Sequence, residues 1–234
     1  LAHQAEEIEG TDEFTADVIE AAGEYGLGGV MLPEEDGGLG ADVRSDCAAV
    51  ERVAACSGAV AETIQGHTFD APPVLNFGRE EENEQYRPEM ARGERVGAML
   101  LTEPGAGSSP TEMITVAEET EGGYEINGEK AFGTNAGVAD QHLVVARKRP
   151  QPEEGHGVSV FLVPSPEDVD GFEFERREYM GMRGHVTGDS TFDGAEIPAD
   201  ALLGQVGHGF RIAMGTIDMA RTGLGAIGTG IAQA

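Results

Sequence analysis

Lysine is almost absent from this chain. Two are present, Lys130 and Lys148, within a total of 15 basic residues set against 43 acidic ones, a formal net charge of -28. A surface this negative repels nucleic acid and anionic lipid, which excludes both as partners. The acidic residues are dispersed along the whole sequence and not gathered in a tail, so a disordered acidic segment is not expected. The pattern reads as a solvation adaptation of the kind halophilic proteins use, in which dispersed carboxylates hold water once salt screens their repulsion. Cysteine is scarce too. Cys47 and Cys56 fit no zinc or redox spacing and are read as reduced thiols on a helix, which points to a cytoplasmic location. No run of ~18 apolar residues marks a membrane helix, and no basic-then-apolar leader marks a signal peptide. The first residue is Leu1 rather than Met, so the true N-terminus is expected upstream.

What is present is enough for one large or two small domains: 234 residues, 39% of them hydrophobic. A chain of this length buries roughly 70% of its unfolded surface and needs no disulfide or metal staple. Residues 1–94 read as a helical domain. Phe14, Val18, Ala21, Ala22 and Tyr25 recur at helical spacing, with Gly26 as a stop. Residues 28–40 read as a loop, and Asp42 as the N-cap of a helix through Cys47, Val50 and Val53. An apolar stretch over residues 59–77 is interrupted by Pro72-Pro73, and residues 80–91 form a further helix. Residues 95–205 change texture into short β-rich runs separated by Gly, Pro and Asn-Gly signals. Asn127-Gly128 is a turn dipeptide, and residues 142–146 and 158–163 read as buried strands. The absence of regular strand–helix alternation argues for an antiparallel barrel or sandwich and against a dinucleotide-binding fold. From Gly209 the helical period returns through Phe210, Ile212, Ala213, Ile217, Ala220 and Leu224. The helix over residues 206–234 is expected to continue beyond Ala234, since no capping signal precedes the end.

One segment carries chemistry above the rest: Leu101-Thr-Glu-Pro-Gly-Ala-Gly-Ser108, leaving the end of an apolar strand over residues 96–101. Pro104 fixes a turn, and Gly105 and Gly107 let a backbone approach a ligand closely. Thr102 and Ser108 offer hydroxyls, and free loop N–H groups suit a phosphate or the edge of a flavin ring. Ser109-Pro110 stands where a third glycine would open a helix, so this is not a Gly-x-Gly-x-x-Gly fingerprint. By itself the segment is equally a ligand loop or an ordinary Gly-rich turn.

Thr-Glu-Pro-Gly-Ala-Gly-Ser is similar to the flavin-binding signature of the acyl-CoA dehydrogenase family. Other matching motifs stand in order on both sides. Upstream are Leu32-Pro-Glu-Glu-Asp-Gly-Gly-Leu-Gly40 and Phe77-Gly-Arg-Glu80. Downstream are Ile126-Asn-Gly-Glu-Lys130, Thr134-Asn135, Met180-Gly-Met-Arg-Gly184, Ile197-Pro198, Gly209-Phe210 and residues 218–221. The resemblance covers nearly the whole chain. It implies an N-terminal helical domain, a middle β domain and the first helix of a C-terminal four-helix bundle. It further implies FAD lined by Met99, Leu101, Thr102, Gly107, Ser108, Phe132, Gly133 and Thr134, with Thr102 on the pyrimidine side and Thr134 near N5. Ser108, His185, Asp218 and Arg221 are implied as substrate contacts, the last two with the CoA portion.

The implied activity is α,β-dehydrogenation of an acyl-CoA thioester, as in fatty acid β-oxidation. Electrons pass to electron-transferring flavoprotein, and the assembly is a homotetramer or homodimer. The catalytic base is expected beyond Ala234. The alternative base position on the last helix is Ala220, which takes no proton. Three residues depart from the family pattern: Phe132 in place of tryptophan, Ser109 in place of aspartate, and His185 in place of serine. A flavin oxidase or monooxygenase on the same fold, and a non-catalytic flavin- or CoA-binding relative, are the competing readings.

Overall fold

The computed structural model describes residue 8, residues 16–150 and residues 157–234. Position 14 of the first expected helix lies outside them. Among the described residues from position 16 onward, the helices before the sheet are α1 (Ala16–Glu24), α2 (Val43–Ala54), α3 (Gly58–Thr68), α4 (Ala71–Phe77) and α5 (Glu80–Ala91). Strands β1 (Gly97–Leu100), β2 (Val116–Glu119), β3 (Gly123–Thr134) and β4 (Gln141–Arg149) follow. Then come β5 (Val158–Pro164), β6 (Phe172–Arg176), β7 (Thr187–Pro198), β8 (Leu202–Leu203) and the long helix α6 (Gly209–Gln233). The order of helices, sheet and helix is the expected one.

Local chemistry explains most of the helix boundaries. Asp42 caps α2 by accepting a hydrogen bond from the Ser45 N–H at 3.1 Å, a contact worth about 1 kcal/mol. Ser57 caps α3 through the Val60 N–H at 3.3 Å. Pro72 and Pro73 do not merely interrupt an apolar stretch. They sit in the first turn of α4, where their missing N–H groups cost nothing. On α1 the buried face is Ile19 and Ala22, whereas Ala21 and Tyr25 are exposed. The helix ends at Glu24, and Gly26 turns the chain at φ 76°, which swings Tyr25 outward.

The sheet has eight strands in the order β6-β7-β3-β2-β4-β5-β8, with β1 also paired to β4. Five of its pairings are antiparallel, as expected. The β1–β4 and β2–β4 pairings are parallel, which the sequence texture did not indicate. Strands β4 and β5 are buried on both faces. Leu143, Val145, Val158, Val160 and Leu162 meet Ile212 and Ala213 of α6. Val144, Ala146, Phe161 and Val163 face the opposite core with Tyr124, Phe172 and Phe192. Burial on both sides is why these strands read as continuous apolar runs rather than alternating ones.

Asn127-Gly128 is not a turn. It lies inside β3, where the register against β7 shifts between Ile126 and Asn127. Gly128, at φ 144°, passes so close to Thr115 that an added Cβ would lie 2.6 Å from the hydroxyl oxygen. Asn127 Oδ1 accepts the Gly194 N–H at 2.8 Å. The register skips Gly194 of β7, at φ 69°, so the bulge lies there and the Asn127 side chain holds it, while Asn127 and Gly128 stay paired with Asp193 and Phe192.

His67 ties the helices to the sheet. Its Nδ1 accepts the Gly97 N–H at 3.3 Å, so Nε2 carries the proton and donates to the Met90 carbonyl at 3.0 Å. Burial holds this imidazole neutral by pushing its pKa down. β1 is thereby fixed against α3 and α5.

Helix α6 lies along α2 and α3 through a face containing Gly223, Ala226, Ile227 and Gly230. At Gly230 an added Cβ would lie 2.3 Å from the Glu51 carbonyl oxygen, whereas Gly228, two residues away, faces open space. In the 234-residue chain, Gly230→Ala is expected to destabilise by about 1–3 kcal/mol through overpacking. Gly228→Ala is expected to stabilise by about 0.5–1 kcal/mol, since alanine removes the glycine's helix cost. Thermal unfolding of the two variants checks this; a shift of the same sign for both would contradict the packing.

Candidate functional site

Strands β1 and β2 share one lane of the sheet. β1 pairs with residues 141–144 of β4 and β2 with residues 147–149, so the Gly-rich segment leaves the sheet at the gap between them. The excursion is pinned at both ends. The Ala131 N–H of β3 donates to the Thr102 carbonyl at 2.8 Å, and the Arg147 N–H of β4 donates to the Thr115 carbonyl at 2.9 Å. Arg147 Nε also reaches the Met113 carbonyl at 2.7 Å.

Beneath the loop lies a buried ion pair. Lys130 Nζ is 2.8 Å from Glu103 Oε1, and the two side chains are 0% and 2% exposed. Lys130 also donates to the Leu101 carbonyl at 3.1 Å. Glu103 accepts the Ile114 N–H at 2.6 Å and the Thr115 N–H at 3.0 Å. Burial pushes the Glu103 carboxyl up, but Lys130 and the bonds from residues 114 and 115 outweigh it and hold it below its usual range. Burial lowers the Lys130 pKa, with Glu103 opposing. Both Glu103 oxygens and the Lys130 ammonium are hydrogen-bonded, which is the condition under which a buried charge is tolerated.

The upper surface of the loop is exposed. Gly105, Gly107 and Ser108 are exposed, and Thr102 is half-buried. A Cβ added at Gly105 would meet no atom within 4 Å, and at Gly107 only Thr102 Cγ2 at 3.9 Å. Met99 and Leu101 are half-buried and pack on the cluster containing Val145 and Leu162.

Across the lane, β3 carries the second half of the site. Its register against β7 breaks between Lys130 and Gly133, and Phe132 takes φ 61°. That left-handed conformation costs a bulky residue on the order of 1–2 kcal/mol. It turns the ring outward, leaving Phe132 52% exposed. The Arg177 guanidinium lies 4.2 Å from the ring centroid and is held there by Asp189, with Nε–oxygen distances of 2.8 and 2.9 Å. Next in the chain, Gly133 is buried and Thr134 half-buried. Helix α3 packs flush on Thr134: a Cβ at Gly66 would lie 2.5 Å from its methyl carbon. One turn earlier on the same face, Glu62 hydrogen-bonds the Thr134 side chain. Burial pushes the Glu62 carboxyl up, and the bond to Thr134 partly offsets this.

The sequence-derived candidates thus form one main group. Thr102 and its loop lie beside Phe132, Gly133 and Thr134 through the Thr102–Ala131 bond. His185 belongs to the neighbouring segment. Its Nδ1 donates to the Met182 carbonyl at 3.3 Å, and its Nε2 is bonded to the Thr187 hydroxyl. Beside it is a cavity of about 240 Å³ lined by Arg176, Arg177, Glu178, Tyr179 and Arg183. Asp218 and Arg221 lie on another element, the exposed face of α6, and pair with each other at 2.8 Å. Sequence reasoning had assigned no role to Glu62, Arg177 or the Glu103–Lys130 pair. Glu103 and Lys130 stood within quoted motifs, but the fold alone brings their charges together. Among the described residues no cluster of His, Cys, Asp and Glu could hold a metal ion.

Comparison with known proteins gives this geometry a family. The acyl-CoA dehydrogenase N-terminal domain matches residues 1–94, and the acyl-CoA dehydrogenase middle domain matches residues 98–195. An acyl-CoA dehydrogenase of Bacillus subtilis is 40% identical over the whole chain, which spans 62% of that relative's length. The butyryl-CoA dehydrogenase structure from Megasphaera elsdenii superimposes with a TM-score of 0.92 at 32% identity, covering all of this chain and 62% of that one. An acyl-CoA dehydrogenase of Bacillus anthracis solved with FAD gives a TM-score of 0.82 at 32% identity, over 92% of this chain and 36% of that one.

Glu62 provides a pH test of this wall. A carboxyl whose folded pKa lies above its unfolded value costs stability as pH rises through that interval. Glu62→Gln removes the cost and keeps a hydrogen-bond partner for Thr134. Relative to the parent, the variant is expected to gain stability as pH rises from below the ordinary glutamate value of 4.5 toward neutrality. Denaturant unfolding at both ends of the range measures the difference; a pH-independent difference would contradict the buried carboxyl.

Proposed function

Since the chain belongs to the acyl-CoA dehydrogenase family, we propose that its open loop and the Phe132–Thr134 wall hold FAD, and that the complete protein dehydrogenates an acyl-CoA thioester. The observation that carries this reading is that the exposed Gly105, Gly107 and Ser108 of the loop are tied, through the bond from the Ala131 N–H to the Thr102 carbonyl, to the strand that carries the outward Phe132, Gly133 and Thr134. Loop N–H groups and hydroxyls, with a flat apolar wall, are the partners a ring with a polar pyrimidine edge and a pyrophosphate tail requires. The residues present fit the group.

Thr102 and the loop N–H groups would face the pyrimidine edge, and Ser108 the pyrophosphate. Phe132, Gly133 and Thr134 would line the ring. Met99 and Leu101 would back it through their packing on β4 and β5. When bound, FAD accepts the hydride that leaves the β-carbon. This chain's residues orient the ring, and preorganised donors at its pyrimidine edge stabilise negative charge there. The basic cavity at Arg176, Arg177 and Arg183, beside His185, offers an anionic CoA thioester a cationic approach on an otherwise acidic surface. Asp218 and Arg221 are proposed as contacts for the CoA portion. Ala220 cannot accept the α-proton, and the base is proposed to be a glutamate in the part of the family's length that this chain does not span.

The same reading includes electron-transferring flavoprotein as acceptor, a homotetramer or homodimer, a cytoplasmic location and a salt-adapted surface. Among the described residues no helix is long and apolar enough to cross a membrane.

The test uses the complete protein purified with FAD and mixed, without oxygen, with straight- and branched-chain acyl-CoA thioesters. Flavin absorbance is expected to bleach with at least one of them. Thr102→Val is expected to slow bleaching by about 10²–10³-fold, the effect of losing one preorganised donor. A flavin-loaded parent that bleaches with no thioester would sink the dehydrogenase reading in favour of a non-catalytic relative.

A further inference from the structure

The two walls of the proposed site belong to different strands, and something must fix their separation. A backbone bond from the Ala131 N–H to the Thr102 carbonyl joins them at one point, beyond which the lane between β3 and β4 is broken, since β1 has ended and β2 has not begun. The Lys130–Glu103 pair fills the break. Lys130 projects from β3 two residues before Phe132 and reaches both the last carbonyl before Thr102 and the Glu103 carboxylate. Glu103 in turn grips the N–H groups of Ile114 and Thr115, where the loop returns to the sheet. One charge pair thus touches the start of the loop, its end and the strand that carries the opposite wall. Within the loop, Glu103 also forms a turn with Ala106, through bonds of 3.1 and 3.3 Å, which places Gly107 and Ser108. A chain with only two lysines commits one of them entirely to this interior position.

We propose that Lys130 and Glu103 are positioning residues for the cofactor, setting the distance between the Thr102–Ser108 loop and the Phe132–Thr134 wall. This rests on the FAD reading above. The pair has no exposed surface with which to touch a ligand, so it acts through the backbone it holds. A change in it shifts the donors at the pyrimidine edge relative to the ring, and with them the balance between oxidised and reduced flavin.

Three variants of the complete, FAD-loaded protein test this: Lys130→Met, Glu103→Gln, and Gly230→Ala as a destabilised control remote from the loop. FAD dissociation constant, flavin midpoint potential and thermal stability are measured for each. Lys130→Met and Glu103→Gln are expected to weaken FAD binding at least tenfold and to make the midpoint potential more negative. Gly230→Ala is expected to lower stability while leaving both flavin properties at the parent value; a purely structural role for the pair would give Lys130→Met and Glu103→Gln that same pattern. Where Lys130→Met does not fold, Glu103→Gln, which keeps the side-chain shape, carries the same readouts. A folded Lys130→Met or Glu103→Gln protein with parental affinity and potential overturns the positioning role alone. A parent that takes up no FAD overturns the functional reading and this inference with it.

Discussion

A gap in a strand lane, closed by one buried charge pair, is the constraint on which the site depends. Two short strands run parallel to β4 in succession, and the chain must leave the sheet between them and come back. A loop leaving a sheet interior exposes backbone groups that the ladder would otherwise satisfy. Here those groups are met by Glu103, Lys130, Arg147 and the Ala131 N–H, so the ends of the loop are hydrogen-bonded to the sheet while its middle is exposed. The same arrangement brings β3 alongside, and the break in its register turns Phe132 outward. Packing of α3 on Thr134 and of α6 on α2 and α3 then holds the helical layers against this wall.

Much of this was legible in the sequence. The sequence of helices, sheet and helix followed from periodicity. The buried character of β4 and β5 followed from their unbroken apolar runs, and the α2 cap from the type of residue at 42. The loop was singled out by its own glycines and hydroxyls. What was not legible depended on tertiary partners. Asn127-Gly128 has the local chemistry of a turn, yet pairing with β2 and β7 keeps it extended, and the bulge falls opposite it at Gly194 of β7. Tyr25 fits a helical face by spacing alone, but the helix ends before it. Parallel pairing of β1 and β2 with β4 has no local signature, since it depends on where the chain returns after a long excursion. Glu62 carried no motif at all. Its meaning arises from the contact of α3 with Thr134, which single-sequence spacing cannot reveal.

Charge is distributed in a way that matches the proposed chemistry. Carboxylates cover the surface at large, while three arginines, Arg176, Arg177 and Arg183, outnumber the single carboxylate Glu178 in the lining of the cavity beside His185. On a strongly negative protein such an island focuses an anionic ligand toward one place, an effect that weakens as salt rises. Arg177 serves two ends there, stacking on Phe132 and pairing with Asp189. Phe132 presents a flat apolar ring, and the Arg177 guanidinium lies over it at 4.2 Å from the centroid.

The most direct measurement is a crystal structure of the complete protein with FAD bound. The account predicts the pyrimidine edge of the flavin within hydrogen-bonding distance of Thr102 and the loop N–H groups, the ring against Phe132, and the Lys130–Glu103 pair intact beneath. Flavin bound elsewhere, with the space above Gly105 and Gly107 still open, would contradict it.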